Sequence, residues 1–324
     1  MVKLDKRSVI TEAVFMGDMR RAELAALIIN LRTMAGHNRE VLAGIQDGSV
    51  TLLSRDKAIR TECYQDLPDY EKAFVRAYAV GLGAHRAVLT GYSAARIHGM
   101  WVAGSAREPV ELALAEIPPR AQWQSGTLYR RLALAEEEIL HVGGVRTPQL
   151  FRVFVEIARH HGFIAGLVAA DWLRGMGMDL EEMRRQVALL GPVRGVRNVR
   201  DAVEFSVACS ESPFEPYARG LLIRAGLNVQ AQALLCDGKY RADLLVESWT
   251  VVEIDGDVKY SGEYGETGQV LLEEKKRENR IRNEGMSVLR YSPAELLRDP
   301  AKFVREVQAE VERNRAKGRW RESA

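Results

Sequence analysis

The chain has 324 residues, and its 46 lysines and arginines against 44 acidic residues give a net charge of +2. Hydrophobic residues make up 47% and charged residues 28%, which excludes a disordered or fibrous protein and predicts two or three globular domains. So balanced a charge excludes binding to nucleic acid through net charge alone, so any basic surface must be local.

The cysteines and the first residues predict a protein of the cytoplasm. Cys63, Cys209 and Cys236 lie far apart and form no Cys-x-x-Cys pair, which favours reduced thiols. The start of the chain lacks the apolar segment of a signal peptide, and no stretch has the length of a membrane span.

The first 66 residues predict helix, helix and hairpin. Arg20–Met34 has helical periodicity, and Asn38 is a plausible N-cap for a second helix through Ile45. Val50–Ser54 and Ala58–Tyr64 predict a hairpin. This order suits a winged helix with its second helix in the major groove of DNA, and a plain helical cap with solvated charges is the alternative. In the winged helix, phosphate contacts would come from Arg39, Arg55, Lys57 and Arg60.

Residues 67–198 predict a mixed domain. Asp69–Val80 is typical of a helix, Val110–Leu114 and Thr127–Leu132 of strands, and Gly143-Gly144 of a hairpin turn. Thr147-Pro148 then predicts the start of a helix that ends near His161-Gly162. Further helices are expected over Phe163–Arg174, Leu180–Leu190 and Arg200–Val207.

Residues 199–324 alternate helix and strand. Ser212-Pro213 predicts a helix start, with Ser212 as N-cap, and Gly226 predicts its stop. Three strands follow, with a two-residue turn at Asp237-Gly238 and a turn centred near Ser248. Their predicted ranges are Val229–Leu235, Tyr240–Val246 and Thr250–Ile254.

The remaining elements complete an αβββαβ order. Gln269–Glu284 predicts a charged helix that Gly285 stops, and Met286–Tyr291 predicts a fourth strand. Pro293 predicts the start of the last helix.

Acidic residues interrupt two of these apolar strands. In a simple hairpin Asp243 lies opposite Glu253 and Arg241 lies opposite Asp255, so all four share one face. Opposed carboxylates repel and favour a cation between them, and oxygen ligands favour Mg²⁺ or Mn²⁺. Such an ion can activate a water and stabilise an in-line phosphoryl displacement.

Structural alternatives exist for two of the acids. Ser212-x-x-Glu215 is also a capping box, in which Glu215 caps its own helix. Asp255 is also compatible with an ion pair to Arg241 or with a turn at Gly256. Asp243 and Glu253 favour function, because a carboxylate inside an apolar strand is costly to bury without a partner.

This last third of the chain resembles the PD-(D/E)XK nuclease superfamily, and most closely a bacterial group related to very-short-patch-repair endonucleases. The matching positions are Glu215, Asp243, Glu253, Asp255, Gly256, Arg277, Gly285, Val288 and Arg290. The resemblance implies a restriction-endonuclease-like fold with a catalytic Asp243, Glu253 and Glu215. Asp255 stands where the superfamily has a lysine, and Lys259 would supply that charge.

The middle of the chain resembles actinobacterial AbiEi-like antitoxins of toxin–antitoxin systems. The matching segments are Leu89-Thr-Gly-Tyr-Ser-Ala-Ala-Arg-Ile-His98-Gly99 and Val145-Arg-Thr147-Pro148. The resemblance implies an initial winged helix, a final nuclease-like domain and a cognate toxin or defence-system partner. His98 is expected to be a packed histidine, and His160-His161 to complement a helix dipole.

We therefore expect an α+β protein whose mainly helical N-terminal region precedes the nuclease-like domain. The expected function is Mg²⁺-dependent cleavage of DNA in phage defence or DNA repair, with Asp243, Glu253 and Asp255 as metal ligands. Phosphate contacts are expected from Lys275, Arg277, Arg280 and Arg290. The alternatives are an AbiEi-like antitoxin and repressor with a silent nuclease fold, and a protein-interaction scaffold.

Overall fold

The structure is a computed structural model, and it describes residues 17–32, 39–103, 108–254, 280 and 284–316. Helices and short sheets alternate along the chain, so the fold class is α+β, as predicted. Two compact units divide the chain. The first takes residues 1–169 and 176–203, and the second takes residues 170–175 and 204–324. Within the described ranges, no helix has both the length and the apolar character needed to cross a bilayer.

The first unit opens with two helices and a three-stranded antiparallel sheet in the order β1–β3–β2. Its elements are α1 (residues 17–26), β1 (Ile29–Asn30), α2 (Arg39–Asp47), β2 (Val50–Leu52) and β3 (Lys57–Arg60). The helix predicted over residues 20–34 is wrong for residues 27–32, and residues 33 and 34 lie outside the described residues. Ile29 pairs with Ala58 of β3, so its backbone belongs to the sheet.

Both predicted strands of the hairpin are too long, since the first ends at Leu52 rather than at Ser54. The second strand ends at Arg60, because helix α3 (Thr61–Asp66) begins directly after it and the Thr61 hydroxyl donates to the Gly48 carbonyl at 2.7 Å. Lys57 was predicted to contact phosphate, but its side chain is buried and pairs with Asp56 at 2.9 Å.

In the rest of the first unit, the described residues form a second three-stranded sheet, a hairpin, six α-helices and two short 3₁₀ helices. In that sheet β4 is antiparallel to β5 and β5 is parallel to β6. The strands are β4 (Val88–Leu89), β5 (Val110–Leu114), β6 (Thr127–Arg131), β7 (Ile139–Val142) and β8 (Val145–Pro148). The helices are α4 (Asp69–Gly83), α5 (Gly91–His98), α6 (Leu150–His161), α7 (Phe163–Gly175), α8 (Leu180–Leu189) and α9 (Val196–Glu204), and the last six residues of α7 are counted with the second unit.

Two local predictions in this region have opposite outcomes. The two-residue turn at Gly143-Gly144 is confirmed, with φ of 57° and 82°. The predicted helix start at Thr147-Pro148 is wrong, because both residues pair within β8 and the helix begins at Leu150.

A buried carboxylate joins the second sheet to two helices. Glu111 of β5 is 1% exposed and accepts hydrogen bonds from Arg130 Nε and from His161 Nε2, both at 2.7 Å. The ring of His161 stacks on Tyr92 at 3.8 Å between centroids. His161 therefore has a specific packing role beyond its place at a helix end. His98 bonds to the Thr147 hydroxyl at 2.9 Å.

The second unit contains one four-stranded sheet in the order β12–β11–β10–β9. The strands β9 (Val229–Leu235), β10 (Tyr240–Val246) and β11 (Thr250–Ile254) form an antiparallel meander with the predicted bounds. Strand β12 (Ser287–Tyr291) lies parallel to β11. The helices are α10 (Phe214–Arg224), α11 (Pro293–Arg298) and α12 (Pro300–Ala316).

Three details of this unit differ from the prediction. Helix α10 begins one residue late, with Pro213 rather than Ser212 at the N-cap. The turn between β9 and β10, predicted to have two residues, spans four, 236–239, because Tyr240 pairs with Leu235. The single last helix expected from Pro293 is two helices, separated at Asp299.

The main core of the second unit lies between the sheet and the helices α10 and α12. Leu222, Leu244, Val252 and Phe303 are fully or almost fully buried there. Asn314 of α12, also buried, donates to the hydroxyls of Thr250 and Ser287 at 3.0 and 2.9 Å. Phe214, the first residue of α10, packs against this core, and the first candidate acid, Glu215, follows it. A smaller cluster of Ala233, Leu235, Cys236, Ala242 and Val251 forms separately.

Candidate carboxylate site in the second unit

Glu215 lies in the first turn of α10 and is 4% exposed. The Glu211 N–H donates to both of its carboxylate oxygens at 3.1 Å, and Gln232 Nε2 donates to one of them at 2.7 Å. The Ser212 hydroxyl is a further partner. Glu215 therefore accepts a backbone N–H ahead of its helix, but from Glu211 and with Pro213 at the N-cap, so this is not the predicted capping box. Through Gln232 it also joins its helix to β9.

The surroundings of Glu215 favour its protonated form. Burial raises the pKa of Glu215 to about 7, and the negative charge of Asp243 acts in the same direction. The hydrogen bonds from Glu211, Gln232 and Ser212 oppose the rise of this pKa. Near neutral pH the carboxyl group therefore exchanges a proton readily, which is a property common at functional sites.

Asp243 lies in the middle of β10 and is half-buried. Its Oδ2 accepts the backbone N–H of Ile254 at 2.8 Å. The pairing of β10 with β11 runs up to Leu244 and Val252, so the next positions in register are Asp243 and Glu253. The sequence predicts this placement of Asp243 opposite Glu253.

Glu253 is 8% exposed on β11. Val252 and Ile254 belong to the core under α10, so alternation along the strand directs Glu253 to the other face of the sheet. In the parallel register Glu253 lies beside Arg290 of β12, which is exposed. The negative charge of Asp243 acts on Glu215, whereas Glu253 lies beside Arg290 in the register. Over the described ranges, no group of three or more His, Cys, Asp or Glu side chains is placed to hold a metal ion.

Several predicted site residues lie outside the described residues. These are Asp255, Lys259, Lys275 and Arg277. Arg280 is described and exposed. Arg241, a possible partner of Asp255, forms an ion pair with Glu211, the residue whose N–H binds Glu215.

A buried ion pair anchors the other side of α10. Arg219 and Asp171 are 3% and 1% exposed, and Arg219 Nη2 contacts both Asp171 oxygens at 2.7 and 2.8 Å. Asp171 also accepts the Ser210 hydroxyl at 2.6 Å and the Val207 N–H at 2.9 Å. This network fixes the segment that leads into α10, and therefore the backbone that supports Glu215.

Sequence reasoning missed Gln232, which lies directly opposite Asp243 in the register of β9 and β10. A signal was present, since a hairpin closed at Asp237-Gly238 already places position 232 opposite position 243. The bond from Gln232 to Glu215 had no such signal, because it depends on how α10 packs on the sheet.

Comparison with models of protein families, with curated proteins and with solved structures gives no match to this chain.

Proposed function

We propose that the second unit is a PD-(D/E)XK-like domain that hydrolyses DNA phosphodiester bonds with Mg²⁺ or Mn²⁺. The observation that carries the proposal is geometric: Gln232, which lies opposite Asp243 in the register of β9 and β10, donates to the Glu215 carboxylate at 2.7 Å. This places a carboxylate at the start of α10 close to one inside β10. A negative charge placed beside a buried carboxylate is unfavourable unless a proton or a cation compensates it.

The order of elements supports this proposal. A helix precedes an antiparallel meander of three strands, and the fourth strand lies parallel to the third, at the edge of the sheet. Parallel neighbours need a crossover connection, and the charged residues 269–284 occupy that connection in the sequence. With the helix expected over residues 269–284, most of which lie outside the described residues, this would be the αβββαβ order that the resemblance implies.

The residues fit a hard divalent cation. Mg²⁺ is usually held by one or two carboxylates and keeps several waters, so Asp243 with Glu215 is a sufficient protein contribution. When bound, the ion would lower the pKa of a water and stabilise charge on the phosphate. Asp255 is the proposed further ligand and Lys259 the proposed partner of the phosphate, whereas Glu253, which faces away from α10 beside Arg290, would stand outside this site.

The chain would bind DNA through local basic residues, because its net charge is only +2. Arg290 on β12 and Arg280 ahead of it are exposed, and Lys275 and Arg277 precede them in the sequence. These side chains would hold the DNA backbone beside the carboxylates.

Nicking of supercoiled plasmid in Mg²⁺ or Mn²⁺ tests the proposal. Asp243→Asn removes the charge and keeps the shape of the side chain, and it should reduce nicking by at least 100-fold. Asp237→Asn is the matched control, because Asp237 is exposed in the first turn of the same sheet. Equal nicking by all three proteins would refute the proposed site.

The arrangement at the start of the first unit favours a second candidate function, that of a DNA-binding repressor with a silent nuclease fold. The sheet order β1–β3–β2 with α2 ahead of the hairpin is compatible with a winged helix. The exposed positions of α2 recur at helical spacing, and they are Arg39, Glu40, Leu42, Ala43, Gln46 and Asp47. Sequence-specific retention of the protein's own promoter DNA without metal and without cleavage would support this function.

A further inference from the structure

Gln232 has a φ of 52° in the middle of β9. A residue with a Cβ disfavours this left-handed conformation, and such strain persists where surrounding contacts over-determine it. In the described residues the other non-glycine residues with positive φ, at 236, 237, 247 and 248, all lie in the two turns of the meander. Gln232 is therefore an exception within a regular strand.

The strain at Gln232 does not come from an inserted residue. Ala233 pairs with Ala242 on one side and Ala231 pairs with Leu244 on the other, so both strands use one residue between these pairs. A β-bulge would need an extra residue in one strand.

At Gln232 the strand β9 changes the core that it contacts, and β10 makes the same change at Asp243. Ala231 packs with the core under α10, as does its partner Leu244. Ala233 packs with the other cluster, as does its partner Ala242. In a regular strand, residues two apart lie on one face. The backbone at Gln232 breaks this alternation opposite Asp243.

From this strained part of the backbone, the side chain of Gln232 extends to α10. Its Nε2 donates to Glu215 Oε2 at 2.7 Å. The amide is a neutral donor, so it orients the carboxylate without cancelling its charge. A Lys or Arg at this position would form an ion pair, and an apolar side chain would provide no bond.

We propose that Gln232 is the positioning residue of the carboxylate site, and that its strained backbone is retained because it aims the amide at Glu215 and holds that carboxylate beside Asp243. The role of the two carboxylates as a cation site rests on the function proposed above. The hydrogen bond and the strained backbone are independent of it.

Two substitutions distinguish the effect of the amide hydrogen bond from the effect of the backbone strain. Gln232→Met keeps the size of the side chain and the cost of the positive φ but removes the donor, whereas Gln232→Gly removes both the donor and the strain. Gln230→Met is the matched control, since Gln230 is exposed two residues earlier on β9. Each protein is tested for Mn²⁺ affinity by titration calorimetry, for plasmid nicking and for thermal unfolding.

We expect both changes at Gln232 to weaken Mn²⁺ binding and to slow nicking by about tenfold or more. Gln232→Gly should unfold at a temperature no lower than Gln232→Met, because glycine adopts the required φ without strain. Gln230→Met should match the wild type. Loss of thermal stability in Gln232→Met with Mn²⁺ affinity unchanged would show a purely structural role and overturn the proposal.

The outcomes also separate this proposal from the proposed function. If the wild type binds Mn²⁺ without nicking DNA, nuclease activity is refuted and the Mn²⁺ affinities of the variants still decide the role of Gln232. If the wild type nicks DNA and Gln232→Met nicks it equally fast, only the positioning role is refuted. If the wild type neither binds Mn²⁺ nor nicks DNA, both are refuted.

Discussion

Asp243 Oδ2 accepts the backbone N–H of Ile254 at 2.8 Å. This bond lies where the pairing of β10 with β11 ends, one step beyond Leu244 and Val252. The carboxylate therefore satisfies a backbone donor of the neighbouring strand and also acts on Glu215 through its charge. One side chain thus has a structural and an electrostatic role, and different substitutions separate the two.

For Asp243 we expect the alanine and asparagine variants to differ in stability but not in activity. Asp243→Ala leaves the Ile254 N–H without its acceptor and should cost about 1–3 kcal/mol of unfolding free energy. Asp243→Asn keeps an acceptor oxygen and should cost less than about 1 kcal/mol. Urea unfolding measures both values. Nicking should be lost in both variants, and retention of nicking by Asp243→Asn would show that only the hydrogen bond matters.

Stability in metal-free buffer should depend on the protonation of Glu215. Its pKa rises from 4.5 to about 7 on folding, so the native state binds more protons between these pH values. Stability is therefore greatest below about pH 4.5 with respect to this group, and falls as the pH rises towards 7. The loss over this window is on the order of 3 kcal/mol.

Glu215→Gln mimics the protonated form and should flatten this pH dependence in urea unfolding. Glu312→Gln is the control, because Glu312 is exposed on α12. An identical pH profile for the wild type and Glu215→Gln would contradict the assignment of the pKa.

The buried ion pair between Asp171 and Arg219 should contribute much more to the unfolding free energy than an exposed ion pair does. Asp171→Ala leaves a buried guanidinium without its carboxylate and should cost about 3–5 kcal/mol. The exposed pair of Glu182 and Arg185 provides the comparison, and Glu182→Ala should cost far less unfolding free energy than Asp171→Ala. Chemical denaturation compares the two, and similar costs would be inconsistent with the burial of the Asp171 pair.

If the first unit binds DNA, we expect its exposed basic residues to contact the DNA and its buried ones to stabilise the fold. Arg39 and Arg60 are exposed, whereas Lys57 is buried against Asp56. Arg39→Ala and Arg60→Ala should each weaken binding and make the affinity less dependent on salt. Lys57→Ala should mainly reduce stability. Fluorescence anisotropy at several salt concentrations measures the affinity. A Lys57→Ala protein that is stable but cannot bind DNA would contradict a purely structural role of Lys57.

Two glycines should respond oppositely to alanine. A Cβ at Gly44 of α2 would lie 2.7 Å from Val50 Cγ2 and 2.8 Å from Ser49 Oγ, so Gly44→Ala should cost about 1–3 kcal/mol. A Cβ at Gly175, the last residue of α7, would meet no atom within 4 Å. Gly175→Ala should be neutral, or stabilise by up to about 1 kcal/mol. Thermal unfolding of the two variants tests how α2 packs on the hairpin.

The sequence predicts the meander of the second unit well because local signals agree there. Alternating apolar residues define β9 and β10, and the turn residues around Asp237 and Ser248 delimit them. The opposition of Asp243 and Glu253 followed from the same register. The strained φ of Gln232 could not be predicted, because it depends on a contact with α10.

The start of the first unit shows the opposite case. The apolar residues Ile28, Ile29 and Leu31 suit a helix or a strand, and only the pairing of Ile29 with Ala58 decides for the strand. Lys57 follows an aspartate and precedes an apolar pair, and its charge alone suggested an exposed residue. Its ion pair with Asp56 makes burial possible.

A crystal structure determined in saturating Mn²⁺, with anomalous diffraction measured at the manganese edge, tests the central claim most directly. The account predicts an anomalous peak within about 2.0–2.3 Å of an Asp243 carboxylate oxygen, on the side that faces Glu215. A saturated crystal whose peaks all lie away from Asp243 would contradict a cation site at this pair of carboxylates.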